Sequence, residues 1–172
     1  MEIDSNRVMF EEDHQLNSPN DTLYTVVGIL RKVQEVADRY VVLGEMRGDL
    51  VDVTENTEIP LREIADFEVS EDNPYNKISD YYAIINNCNY FLTRLDTTIT
   101  VYERPVMFKD YSVVKAIRAW TYLQLVLNYG EVPYFTDPLL SVDDTKKSFP
   151  KLGLQEMTTK LIEDIEPFKE YD

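Results

Sequence analysis

Apolar residues recur at intervals of three and four positions in four stretches of the chain, a spacing that places them on one face of an α-helix. The first stretch starts at a capping sequence, where Asn17 or Ser18 precedes Pro19, and it ends before Gly44. The other three stretches cover residues 77–97, 110–129 and 154–166. The pattern therefore predicts four helices. The predicted apolar face of the first helix consists of Leu23, Val26, Val27, Leu30, Val33, Ala37 and Tyr40.

The second predicted helix has the apolar seam of a helix that pairs with an antiparallel neighbour. It begins about 31 residues before the third helix, and the two together resemble a tetratricopeptide-type repeat. A helical bundle or a coiled coil would give the same spacing, so both alternatives stay open. The residues of the seam are Ile78, Tyr81, Ile85, Cys88, Leu92 and Leu95.

The third predicted helix is apolar around most of its circumference and ends at Gly130. We expect the face that carries Val113, Trp120 and Leu127 to be buried between helices on two sides. A membrane span is excluded, because four charged residues lie between positions 109 and 118, and each would cost about 2.5–3.5 kcal/mol at a bilayer centre. The narrow polar stripe of this helix contains Lys115, Arg118, Tyr122 and Tyr129.

Two stretches do not fit a compact four-helix pattern. Residues 45–76 lose all periodicity and mix Gly, Pro, Asn and acidic residues, so we predict a long ordered loop there. The fourth helix has an apolar face with few partners later in the sequence. We therefore expect that further chain follows it in the intact protein.

Composition indicates one globular domain over residues 1–172. Hydrophobic residues make up 44% of the chain and aromatic residues 12%, and a chain of this length buries on the order of 70% of its unfolded surface. The net charge of −15 excludes an electrostatic nucleic-acid interface and disfavours anionic membrane surfaces.

The polar residues give no pattern typical of an enzyme, so we expect neither catalytic activity nor a cofactor. His14 stands in a polar setting, and Cys88 lies on the apolar seam, where a thiol behaves as a small buried hydrophobe. The tripeptide at Arg47–Asp49 fits a local ion pair better than cell adhesion. A solvated acidic face is also favoured over a calcium site, because the calcium-loop pattern is missing. The acidic residues concerned are Asp49, Asp52, Glu55 and Glu58.

Asparagines and tyrosines are the candidates for ligand binding. Asparagine inside a helix costs up to about 0.7 kcal/mol relative to alanine, so Asn86 and Asn89 need compensating hydrogen bonds. We expect these bonds to reach the 45–76 loop or a ligand. Aromatic faces beside asparagines suit sugar rings and peptides, although most aromatic residues serve packing. The candidate ligand-binding residues are Asn86, Asn89, Tyr90, Tyr75 and Tyr134.

Three segments resemble the SusD/RagB family of nutrient-binding outer-membrane lipoproteins of Bacteroidetes. They are "YVVLGEMRGDLVDVT" at 40–54, "DYYAIINNCNYFL" at 80–92 and "VKAIRAWTYLQLVLNYGEVPYFTDPLL" at 114–140. The resemblance extends over roughly residues 10–170 and is most specific from Lys115 to Pro133.

The resemblance implies an all-α fold of tetratricopeptide-like helical hairpins with long ordered loops. It also implies a surface-exposed location at the cell outer membrane, capture of an oligosaccharide or another oligomeric nutrient, and a TonB-dependent SusC-like transporter as partner. This chain would supply the helical scaffold and the face for that partner.

The sequence departs from the family in one respect. Family members carry a signal peptide and a lipidated cysteine that anchors them to the membrane, and neither is visible here, since Cys88 lies within a helix. We therefore expect this chain to be the amino-terminal portion of a longer protein. The alternative is a tetratricopeptide-like adaptor that binds another protein in the cytoplasm.

Overall fold

The computed structural model describes residue 16 and residues 18–48, 50–101, 104–105 and 107–168. The chain is mostly helical, with 61% helix, as expected for an all-α protein. Two short antiparallel ladders accompany the helices: β1 (Thr100–Val101) pairs with β2 (Arg104–Pro105), and β3 (Val132–Pro133) pairs with β4 (Lys151–Leu152). The helices are α1 (Pro19–Gln34), α2 (Ala37–Glu45), α3 (Ile59–Ala65), α4 (Ile78–Arg94), α5 (Phe108–Tyr129) and α6 (Leu154–Ile165), and two 3₁₀ turns cover Asp144–Lys146 and Glu166–Phe168.

The first predicted helix is two helices in the structure. Its start is as predicted, because the Ser18 hydroxyl accepts a hydrogen bond from the Asp21 amide at 3.2 Å and caps α1. The helix ends at Gln34, and Val36 leaves helical geometry with φ −114° and ψ 6° while its side chain is 1% exposed. Residues 34–37 contain neither glycine nor proline, so the local sequence does not mark this break.

The buried face of α1 is also rotated from the predicted one. Thr22, Val26 and Ile29 point into the core, whereas Leu23 and Val27 are more than half exposed. Val26 was placed correctly. The apolar residues of α1 cover more than one face, so their spacing alone did not fix the orientation of the helix.

A helix that the periodicity did not predict, α3, lies inside the 45–76 stretch. It is seven residues long, too short to show a repeating apolar face. Its Glu63 carboxylate accepts hydrogen bonds from the side chains of Ser70 and Asn73, both at 2.8 Å. These bonds lower the pKa of Glu63, with Asn73 contributing most. The stretch is therefore ordered, as expected, but it is not wholly a loop.

The helix α5 packs against both α4 and α6, as predicted for a helix enclosed on two sides. Its orientation, however, is the reverse of the expected one. Val113, Trp120 and Leu127 are 38%, 37% and 56% exposed, while Arg118 and Tyr122 of the predicted polar stripe are buried. The reason is that Arg118 finds polar partners in α4 and α6, far away in the sequence, and Tyr122 finds one in Phe135. The end of α5 is as predicted, at Gly130 with φ 75°.

Two hydrophobic clusters fill the interior. The first joins α1 to α4 and to the start of α5, and it includes Ile84 and the buried Cys88. Burial raises the pKa of the Cys88 thiol to about 12, in agreement with its predicted role as a small apolar side chain. The second cluster joins α4, the later part of α5 and α6, and includes Ile85 and Met157. Tyr40 of α2 packs against both.

Candidate functional site

Three side chains of α4 hold the segment that follows α5, residues 132–140. Tyr82, Asn86 and Asn89 are spaced by four and three residues, so they lie on one face of the helix. The Tyr82 hydroxyl donates to the Pro133 carbonyl at 2.8 Å. Asn86 donates to the Leu139 carbonyl at 3.0 Å and accepts from the Leu139 amide at 2.6 Å. The α4 helix therefore binds the 132–140 segment near both of the segment's ends.

Asn89 binds the middle of the segment and is fully buried. Its Nδ2 donates to the carbonyls of Phe135 and Asp137, each at 3.3 Å. Its Oδ1 accepts from the Arg118 guanidinium at 2.8 Å, and this bond orients the amide so that the nitrogen faces the two carbonyls. Asn89 is unfavourable in a helix, but here its side chain satisfies three polar groups: the carbonyls of Phe135 and Asp137 and the guanidinium of Arg118.

The helix α5 contributes a second attachment through Tyr122. The Tyr122 hydroxyl donates to the Phe135 carbonyl at 2.7 Å and accepts from the Phe135 amide at 3.1 Å. Burial raises the pKa of this phenol far above its usual value, with a smaller opposing effect from its bond to Phe135. The hydroxyl therefore stays protonated and serves as a fixed donor and acceptor.

An ion-pair group lies beneath these contacts. Asp164 of α6 accepts from Arg118 at 2.5 Å and from Lys115. The Arg118 side chain is only 5% exposed. Burial alone would raise the pKa of Asp164, but hydrogen bonds and charge interactions with Lys115 and Arg118 outweigh it and lower the pKa. The carboxylate therefore stays charged and neutralises the buried guanidinium.

This arrangement positions a segment of chain. The polar groups of Asn86 and Tyr122 bind main-chain atoms, and those of Asn89 bind two carbonyls and the Arg118 guanidinium. Over the described ranges, no three His, Cys, Asp or Glu side chains are grouped so that they could hold a metal ion. None of the helices there is both long and apolar enough to cross a membrane.

The five predicted ligand-binding residues do not form one cluster. Asn86 and Asn89 lie under the 132–140 segment, and Tyr134 belongs to it, with its ring 5.0 Å from that of Tyr122. Tyr90 is half-buried on α4 with the Arg94 guanidinium 5.8 Å from its ring centre. The fifth residue, Tyr75, is half-buried in the stretch between α3 and α4.

Tyr75 belongs to the turns that follow α3, where its amide donates to the Asn73 side chain at 3.0 Å. The 45–76 stretch was the wrong expected partner for the asparagines of α4. Asn86 and Asn89 bind residues 135–139 and not the 45–76 stretch. The ligand contact proposed for the five residues stays a prediction.

Two other expectations concern the acidic stretch and the histidine. Asp52, Glu55 and Glu58 are exposed in the structure, as a solvated acidic face requires. Asp49 and His14 lie outside the described residues, so their predicted surroundings stay untested.

An open depression of about 520 Å³ lies on the outer side of α6 beside β4. None of the five predicted residues lines it. Its walls are formed by Leu152, Gln155, Glu156, Thr159 and Lys160.

Arg118 and Asp164 are the important residues that sequence reasoning missed. An arginine within an otherwise apolar helix was a usable signal, because a buried guanidinium requires a carboxylate partner. The partner could not be chosen from the sequence, since Asp164 is 46 residues away among several other acidic residues. Tyr122 was assigned to the polar stripe without a named partner, although a buried phenol normally finds a hydrogen-bond partner.

Comparison of the chain with known protein families, with curated proteins and with solved structures finds no match.

Proposed function

We propose that this protein is the helical scaffold of a SusD-like nutrient-binding component, which works with a TonB-dependent SusC-like transporter at the outer membrane. The sequence resemblance over 40–54, 80–92 and 114–140 motivates the proposal. One structural observation supports it: α4, which carries the second of these segments, binds the end of the third through Tyr82, Asn86 and Asn89. In this proposal the α4–α5 pair is a tetratricopeptide-like hairpin.

The same geometry divides the candidate residues into two roles. Asn86 and Asn89 are positioning residues, because their amides are already bonded to the 132–140 segment. Tyr75, Tyr90 and Tyr134 are half-buried, so each keeps part of its surface in contact with solvent. We propose that these ring faces contact an oligosaccharide or a comparable oligomeric nutrient.

Calorimetric titration with oligosaccharides of increasing length tests the capture function, and co-purification of the transporter from its native cells tests the partnership. We expect Tyr90→Ala and Tyr75→Ala to weaken saccharide binding by roughly tenfold, the effect of losing one aromatic contact of about 1–1.5 kcal/mol. Tyr24→Ala is the matched control, because Tyr24 is 72% exposed on α1 and is not one of the candidate residues. Saccharide binding that is unchanged in both variants, or a protein that never associates with a transporter, contradicts the proposal.

A second candidate function is a tetratricopeptide-like adaptor for another protein. It is favoured by the outer face of α1, where Leu23, Val27 and Leu30 are 55%, 53% and 47% exposed at helical spacing. Contiguous exposed apolar residues of this kind are typical of a protein-binding face. Protease treatment of intact cells separates the two functions, since only a surface-displayed protein is digested.

A further inference from the structure

Three tyrosines meet where α2, α4 and α5 come together. The ring of Tyr81 makes edge-on contacts with Tyr40, at 5.7 Å between centroids, and with Tyr129, at 6.1 Å. Their phenol groups also influence one another electrostatically. Burial is the main reason that the pKa of Tyr81 rises to about 12, and the neighbouring Tyr129 adds to it. Tyr81 affects Tyr40 in the same way.

All three hydroxyl oxygens are inaccessible to solvent, and none has a hydrogen-bond partner within the part of the chain that the structure describes. The Nε atom of Arg47 shares this condition. Burial raises the pKa of Tyr129, and Arg47 is close enough to oppose part of that rise. Tyr81 is 0% exposed as a whole residue. Four of the five buried side-chain atoms without a partner in the described residues thus belong to one group of neighbours.

Unpaired buried polar atoms are uncommon in native proteins, because each one loses its hydrogen bonds to water on folding. A group of four is more unusual still. The hydroxyls also make no hydrogen bond to one another. A bridging molecule resolves both problems, provided that it is small and can donate as well as accept.

The charges nearby favour a neutral molecule over an ion. Burial raises the pKa of all three tyrosines, and the Arg39 guanidinium is close enough to oppose part of that rise. It already donates to the Asp80 carboxylate at 2.7 Å and is 12% exposed. Arg47 is a second cation near the group, and the Asp38 carboxylate acts on Tyr81 alongside Asp80. Two cations and two carboxylates therefore balance, and neither an anion nor a cation is favoured.

We propose that ordered internal water binds between α2, α4 and α5, bridging the hydroxyls of Tyr40, Tyr81 and Tyr129. Phenols both donate and accept, so a water among them has the two to four polar partners that buried water needs. The bridge would join three helices through hydrogen bonds, in addition to their apolar contacts.

Phenylalanine substitutions test this proposal by the sign of their effect. If water bridges the hydroxyls, Tyr81→Phe removes a hydrogen bond and raises the unfolding equilibrium constant about fivefold, measured by urea denaturation. Tyr129→Phe should also raise the unfolding equilibrium constant. In the variant that carries both substitutions, the increase should be smaller than the product of the two single increases. If the hydroxyls are unpaired, Tyr81→Phe removes a buried polar group and lowers the unfolding constant, which overturns the proposal.

Two control variants and one direct observation complete the test. Tyr24→Phe alters an exposed phenol and leaves the unfolding constant unchanged, whereas Tyr122→Phe removes a direct bond to Phe135 and raises it. A crystal structure at a resolution that shows ordered water should contain a density peak within hydrogen-bond distance of Tyr81 and one other phenol. Absence of that peak also overturns the proposal.

Discussion

Asp164 is the residue whose surroundings most constrain what can replace it. It accepts hydrogen bonds from Lys115 and Arg118, and Arg118 is almost fully buried. Removing one member of a buried ion pair is more harmful than removing both, because the remaining charge has lost its water as well as its partner. The side chain is 18% exposed, so solvent weakens this effect only in part.

We expect Asp164→Asn to lower the free energy of unfolding by about 2–4 kcal/mol at pH 7, measured by urea denaturation. The folded-state pKa of Asp164 lies below its ordinary value of 3.8, so its contribution is complete above that pH and is lost as the pH falls through the folded pKa. The variant should therefore lose part of the acid sensitivity of the native protein. Asp143→Asn is the control, since Asp143 pairs with Lys146 in an exposed position and should change little. An equal effect of the two substitutions would contradict this account of the buried pair.

Phe67 is a second residue with an unusual local requirement. It follows the end of α3 with φ 61°, the left-handed region in which glycine is preferred. The turn is closed by bonds from the Phe67 amide to the Ile64 carbonyl and from the Glu68 amide to the Glu63 carbonyl. The ring is 69% exposed, so little packing offsets the backbone strain.

Phe67→Gly should consequently stabilise the protein by about 1 kcal/mol, which thermal or urea denaturation would detect. Asp66→Gly, one residue earlier with φ −82°, is the matched control and should destabilise. Destabilisation by Phe67→Gly would show that the aromatic ring contributes more than its exposure indicates.

At the scale of elements, the 132–140 segment is fixed mainly by side chains of α4 and α5. Its ladder to β4 pairs only Val132 and Pro133, and the bonds from Asn86 and Asn89 hold the part beyond. Losing these asparagines should therefore release the segment before any helix unfolds.

We expect Asn86→Ala to increase amide hydrogen exchange at Leu139 by at least tenfold, because its direct acceptor is lost. Asn87→Ala tests the same chemistry one residue away. Among the described residues, Asn87 bonds to the Ala83 carbonyl of its own helix, so this control should leave exchange at Leu139 unchanged and stabilise the helix slightly. Similar exchange in the two variants would mean that other contacts hold the segment.

Helix positions could be predicted from the sequence better than helix orientations could. The end of α5 at Gly130 and the extent of α6 depend on local signals, and both agree with the structure. Which face of α5 is buried depends on the carboxylate partner of Arg118, and that partner is Asp164 in α6. Where apolar residues surround a helix, periodicity cannot select the buried side.

The same distinction applies to the candidate site. Asparagine is unfavourable inside a helix, and this free-energy cost correctly indicated that Asn86 and Asn89 have compensating hydrogen-bond partners. The identity of those partners was not predictable, because the hydrogen bonds span 46 to 53 residues and reach main-chain atoms that carry no side-chain signature. Tyr75 could not be placed either, since its position depends on the unpredicted helix α3.

At the scale of the molecule, two hydrophobic clusters share one pair of helices. Ile84 and Ile85 are adjacent in α4 and both fully buried, yet Ile84 belongs to the first cluster and Ile85 to the second. A helix that serves both clusters should couple their unfolding into one transition.

Ile84→Ala and Ile85→Ala should each reduce the free energy of unfolding by about 3 kcal/mol and move one common transition, followed by Trp120 fluorescence and by circular dichroism. Val41→Ala, at a site 62% exposed on α2, should have little effect. Separate transitions, with each variant shifting only one of them, would show that the clusters unfold independently.

The contacts that hold the 132–140 segment reach carbonyl and amide groups, whereas the side chains of Thr136 and Asp137 project into solvent. The side chains at these two positions are consequently not needed to hold the 132–140 segment in place. Randomising both would diversify the exposed surface while the loop keeps its place, which makes them the natural positions for engineering new specificity into this fold.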